Sequence, residues 1–86
     1  LVMYIKENGT DRNRIGISVS TKVGNSVVRH RVTRLVRESY RLHEAIFNSG
    51  LDIVIVARSN AAAVGYVEIE KALLHLGKLH HIVKVL

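Results

Sequence analysis

Residues 15–41 read IGISVSTKVGNSVVRHRVTRLVRESYR, and within them the hydrophobic period changes from two to about 3.6. Ile15, Ile17 and Val19 alternate with Gly16, Ser18 and Ser20, as in a strand with one apolar face and one small, polar face. TKVGNS is then a loop that ends in an N-cap, Asn25 or Ser26, and the following pattern predicts a helix to about Phe47, stopped by Asn48-Ser49-Gly50. A strand that feeds a helix through a short loop makes this a mixed αβ chain.

The flanking segments extend the alternation. Residues 1–6, LVMYIK, place Leu1, Met3 and Ile5 on one strand face and Val2, Tyr4 and Lys6 on the other. ENGTDRNR is a turn, with Asn8-Gly9 as its hairpin signal. LDIVIVAR, residues 51–58, is nearly continuously apolar, which predicts a central strand or one covered on both faces. A last helix is expected from about Tyr66 to Val83, its core spacing kept by Ile69, Leu73, Leu76, Leu79 and Val83 with Ala72 and Ile82 beside them.

Eighty-six residues with 48% hydrophobic content allow one domain with a thin core. Without cysteine there is neither a disulfide framework nor a thiolate metal site. No signal peptide and no apolar run of membrane-spanning length is visible, so the expected location is the cytoplasm. The chain opens on Leu1 within a strand pattern, which suggests a domain that is incomplete at its N-terminus.

Net charge is +6, of which residues 1–48 carry +5 (nine Lys or Arg, four acids) and residues 49–86 carry +1 (four against three). On a helical wheel His30, Arg34, Arg37 and Arg41 fall within an arc of roughly 60°, with Val28, Val32, Leu35, Val36, Leu42 and Ile46 on the opposite side. Arg29 and Arg31 flank the stripe. Cations in a first helical turn oppose the macrodipole, so helix stability does not account for them. An arriving phosphate would relieve the conflict, with Lys22, the N–H groups near Gly24 to Val27 and the arginine forks converging on it. The pattern therefore points to a polyanion partner.

Catalytic chemistry has little support in the chain itself. The seven acids are scattered, and His75, His80 and His81 lack the three- or four-residue spacing that would place ligands on one helix face. A structural RNA-binding module, such as a ribosomal protein with no part in cleavage, is the alternative from another functional class.

RIGISVSTKVGNSVVRHRVTRLVRESYR followed by LDIVIVAR resembles the protein subunit of bacterial ribonuclease P, whose signature is a Ser-Lys-Lys-Val-Gly-Asn loop leading into an Arg-Asn-Arg helix. Lys22, Val23, Gly24, Asn25, Arg29, Arg31, Arg34 and Arg37 stand on motif positions. His30 replaces the usual Asn, and Thr33 the usual Lys. The Arg12-Asn13-Arg14 triplet lies in the preceding turn and is outside the motif. Full-length members begin with a basic tail, a helix and a first strand that this sequence does not show.

The resemblance implies an α+β, two-layer αβ sandwich of the ribosomal protein S5 domain 2-like fold, with a left-handed crossover around the arginine helix. It implies one RNA-binding domain over 1–86 that serves as a subunit of the endoribonuclease maturing tRNA 5′ ends, with catalysis by magnesium on the partner RNA and no cofactor held by this chain. Lys22, Gly24, Asn25, Arg29, His30, Arg31, Arg34, Arg37 and Arg41 are the implied contacts to the ribonuclease P RNA. Tyr4, Ser18 and Ser20 are the implied contacts to the precursor tRNA 5′ leader, in a cleft between sheet and helix. If the chain truly begins at Leu1, a sheet that lacks a strand is also expected to self-associate through its exposed edge, whereas a longer chain is expected to be monomeric.

Overall fold

The computed structural model describes residues 1–58 and 65–83 of the expected 1–86 domain. Strands β1 (Val2–Glu7) and β2 (Arg14–Val19) are followed by helix α1 (Ser26–His43), strand β3 (Leu51–Ala57) and helix α2 (Tyr66–Leu79), with short 3-10 turns at Thr21–Val23 and Glu44–Ile46. The sheet order is β1-β3-β2, with β3 antiparallel to β1 and parallel to β2. The most apolar strand thus takes the centre, as its composition predicts.

That order corrects the hairpin reading of Asn8-Gly9. The chain does turn there, with Gly9 at φ +71°, but β3 lies between the two strands that the turn connects. The Asn8 side-chain oxygen accepts from the Thr10 N–H at 2.9 Å, while the Asn8 N–H donates to the Gly50 carbonyl at 3.0 Å. The loop is therefore tied to the start of β3. Gly50 sits at φ +78°, and a Cβ there would come within 2.7 Å of the Thr10 carbonyl oxygen, so only glycine fits under the loop.

Cover on both faces of β3 is also corrected. Leu51, Ile53, Ile55 and Ala57 are buried among Val32 and Val36 of α1 and Ile69 and Leu73 of α2, whereas Val54 on the other face is 41% exposed. Both described helices pack on one side of the sheet, which makes two layers.

Asn25 caps α1 through its side-chain oxygen, which accepts from the Val28 N–H at 3.0 Å. The helix stops at His43, short of the expected Phe47. The chain tightens into the 3-10 turn and then extends, so that Phe47 enters the core, bridges Val83 and packs its ring 5.2 Å from that of Tyr40. Leu42, assigned to the core side, is 62% exposed, since it lies about 120° around the helix from Val36. Ser39 and Tyr40 hold the buried positions near that end.

Helix α2 begins with the Glu68 carboxylate accepting from the Gly65 N–H at 3.0 Å. It ends at Leu79 and not at Val83, because the Ile82 N–H returns to the Gly77 carbonyl at 3.1 Å and the His81 N–H to that of Lys78 at 3.1 Å. This is a Schellman closure with His81 in the left-handed region at φ 56°. Leu79, expected in the core, is therefore 59% exposed, while Ile82 is folded back into it. Gly77 makes the return possible, as a Cβ there would overlap Val83 and crowd Phe47. Between the helices His43 Nε2 meets Glu70 Oε2 at 3.0 Å. The nearby Tyr66 hydroxyl is shielded from solvent without a hydrogen bond, although Ser39 and Glu70 lie beside it, and burial pushes its pKa up.

Candidate nucleic-acid interface

The approach to α1 is fixed residue by residue. Ser20 Oγ accepts from the Lys22 N–H at 3.2 Å and caps the 3-10 turn, which buries Val23 and leaves Lys22 exposed. Gly24 passes so near the helix that a Cβ would sit 3.0 Å from Val28 Cβ. Of the loop positions implied to touch RNA, Gly24 and Asn25 thus shape the helix start, and Ser20 has its oxygen engaged locally. Lys22 projects.

Along α1, His30, Arg34, Arg37 and Arg41 are exposed and line a groove of about 490 Å³ with Thr33 and Glu38. Glu38 is the one acid among those six. A second hollow of about 500 Å³ at the start of the helix is lined by Ser26, Val27, His30, Arg31 and Arg34, so His30 and Arg34 border both. The first turn carries no acid to complement the helix dipole. Arg29 departs from the stripe: it lies about 20° around the helix from Val36, is half-buried, and has its Nε shielded with no hydrogen-bond partner.

The sheet face away from the helices forms a separate surface. Val54 pairs with Tyr4 on one side and with Gly16 on the other, and Val56 pairs in the same way with Val2 and Ser18. Tyr4 is 56% exposed, and a Cβ on Gly16 would find only Val54, at 3.9 Å, so the aromatic ring stands beside a low, open floor. The next row is Lys6, Asp52 and Arg14. There the Arg14 guanidinium donates twice to the Asp52 carboxylate, at 2.8 Å each, and the Asn8 amide donates to it at 3.1 Å. The guanidinium bonds first, and then the amide, hold the Asp52 carboxyl below the usual carboxylate range.

Tyr4 and Ser18 therefore share one surface, and His30, Arg34, Arg37 and Arg41 another. Because α1 and α2 both lie on the far side of the sheet from Tyr4, the described residues form no cleft between this sheet face and a helix.

The turn triplet has structural work that its sequence did not show. The Asn13 amide donates to the Tyr40 hydroxyl at 3.0 Å and to the Asn48 carbonyl at 2.7 Å, while its oxygen accepts from the Leu51 N–H at 2.9 Å. Arg14 is committed to Asp52, and the alternation that puts it in phase with Gly16 and Ser18 was the available signal. His75 is exposed on α2, and His80 and His81 lie beyond its end.

A family model described as Ribonuclease P matches residues 1–80. The chain is 64% identical over 83 residues to the ribonuclease P protein component of Lachnoclostridium phytofermentans, spanning 96% of this chain and 72% of that one. It is 57% identical over 76 residues to the component from Alkaliphilus metalliredigens, spanning 88% and 68%. Among solved structures it resembles the RNase P protein of Staphylococcus aureus with a TM-score of 0.85 at 32% identity, covering 95% of this chain and 75% of that chain. For the RNase P protein of Thermotoga maritima the values are 0.82, 31%, 90% and 74%.

Proposed function

Because the chain belongs to the ribonuclease P protein family, we propose that it binds the ribonuclease P RNA through α1 and the loop before it, and takes the 5′ leader of precursor tRNA on the open sheet face. The observation that carries the RNA contact is the exposed row of His30, Arg34, Arg37 and Arg41 with Glu38 as the single acid in its groove. Planar guanidinium forks at helical spacing match successive phosphates of a duplex or fold; Arg31 stands beside the row on the helix, and Lys22 extends it past the N-terminus. Tyr4 beside Val54 and Gly16 offers a stacking platform for a single-stranded leader, with Ser18 in reach of its sugar and phosphate oxygens.

The protein component contributes binding, and the hydrolysis belongs to magnesium on the RNA. Among the described residues no group of three His, Asp or Glu side chains is placed to hold a metal ion. Among the same residues no helix is long and apolar enough to cross a membrane, and work on precursor tRNA assigns the protein to the cytoplasm. The parallel pairing of β2 and β3 on either side of α1 supports a β2–α1–β3 crossover, and the left hand and the ribosomal protein S5 domain 2-like kind are taken from the family resemblance. For a chain that begins at Leu1, self-association through a sheet edge is part of the same proposal, and light scattering at rising concentration reads it.

Reconstitution tests the central claim. Added to ribonuclease P RNA, the chain is expected to raise cleavage of precursor tRNA more for a substrate with a leader several nucleotides long than for one with a single leader nucleotide. Tyr4→Ala should reduce that difference. Binding to the RNA with no effect on leader removal would favour the purely structural module.

A further inference from the structure

We propose that the groove between β2 and the C-terminal half of α1 is a pocket for one unstacked RNA base. The proposal rests on the reading of α1 as an RNA interface and extends that interface beyond the phosphate contacts. The groove, about 500 Å³, is bordered by Arg12, Arg37 and Arg41 around Ile15, Tyr40 and Phe47, and its lining is mainly apolar. Arg37 and Arg41 also line the groove along the exposed side of α1, so the two adjoin at these side chains. A strand tracking the arginines by its phosphates arrives at this pocket.

Phosphates have no use for an apolar floor formed by the half-buried Ile15 and backed by the buried Tyr40 and Phe47 rings. A nucleobase has, because its faces are apolar and its edges polar, and a planar guanidinium can lie over the face that the protein leaves uncovered. Three cations against Glu44, the one acid of the lining, suit the negative sugar-phosphate that must accompany such a base. The pocket is also held in shape before any ligand arrives. Asn13 joins Tyr40, Asn48 and Leu51 by hydrogen bonds of 2.7 to 3.0 Å, and the Tyr40 and Phe47 rings pack at 5.2 Å. A rigid apolar site lowers the ordering cost of an extruded base, so a bulged nucleotide, already out of its stack, is the form it takes.

The test uses the full chain and two RNA hairpins that differ only by a single bulged adenosine in the stem. The chain should bind the bulged hairpin roughly tenfold more tightly than the fully paired one, the order expected for one base on such a surface. Arg12→Ala and Ser49→Gln, the latter filling the groove from its exposed rim, should each bring the two affinities together, with circular dichroism unchanged. Equal affinities in the parent chain, or a preference that survives both substitutions, would overturn the pocket and leave the arginine interface standing. Failure to bind either hairpin would overturn both readings.

Discussion

The Asn13 side chain donates to the Tyr40 hydroxyl at 3.0 Å and so joins the turn before β2 to the last part of α1. The same amide reaches the Asn48 carbonyl, and its oxygen receives the Leu51 N–H. One side chain thereby joins the turn before β2, the end of α1 and the start of β3. Asn13→Ala would leave the Leu51 N–H and the Tyr40 hydroxyl without these partners, at an expected cost of about 2 to 4 kcal/mol. Urea unfolding measures it, and Asn13→Asp, which keeps the acceptor and loses both donors, should fall between parent and alanine variant.

The exposed cations are expected to act on RNA affinity and not on stability. Arg34, Arg37 and Arg41 lie outside the core, so each Arg→Ala change should lower the slope of log K against log salt by about 0.7 to 0.9 for every phosphate it ceases to neutralise. Binding titrations at four salt concentrations give the slope. Arg29→Ala should differ from these three by also lowering the unfolding midpoint, because its stem is half-buried in line with Val36.

Asp52 sets an acid-side dependence of stability. Its carboxyl is held below the usual range in the folded chain by Arg14 and then Asn8. The stabilisation is complete above the unfolded value near pH 4 and is lost as pH falls through the lower folded value. Asp52→Asn should therefore be less stable than the parent at pH 6 and converge on it as pH falls through the lowered folded value. Parallel acid limbs for the two proteins would show that the pair contributes nothing.

The end of α2 offers a gain and a loss of opposite cause. His81→Gly removes a side chain from the left-handed backbone position and should raise stability by roughly 0.5 to 1 kcal/mol. Gly77→Ala places a methyl group against Val83 and Phe47 and should lower it by about 1 to 3 kcal/mol. Thermal melts of the two variants beside the parent give both signs.

Periodicity exposed the elements, and composition identified the central strand, since a half-buried edge strand does not need Ile53, Val54, Ile55 and Val56 in succession. What periodicity could not show was where tertiary contacts would cut a helix short. Phe47 and Ile82 leave their helical patterns because each gains more by turning into the core than by continuing the spiral, and Leu79 is left outside as Ile82 folds back, whereas Leu42 is outside by its angle on α1. Asn8-Gly9 misled for a similar reason: a turn signal reports a change of direction, and which strands then pair is decided by the most apolar segment. The basic row was legible because exposed helical positions obey the wheel without competition. Arg29 broke the rule where its position faced the core. The pairing of Arg14 with Asp52, 38 residues on, was invisible to any local reading.

The order β1-β3-β2 has a consequence for synthesis. Each outer strand is bonded to β3, and the first two strands have no ladder with each other. Until residues 51–57 have left the ribosome, a nascent chain carries two unmated strands and a helix whose valines have no floor, with its arginines already displayed to whatever RNA is near. The sheet then forms by insertion of the latest strand between the two earlier ones, a closure with long sequence separations on the parallel side. Protease protection of stalled chains should accordingly rise in one step, after β3 emerges and not before.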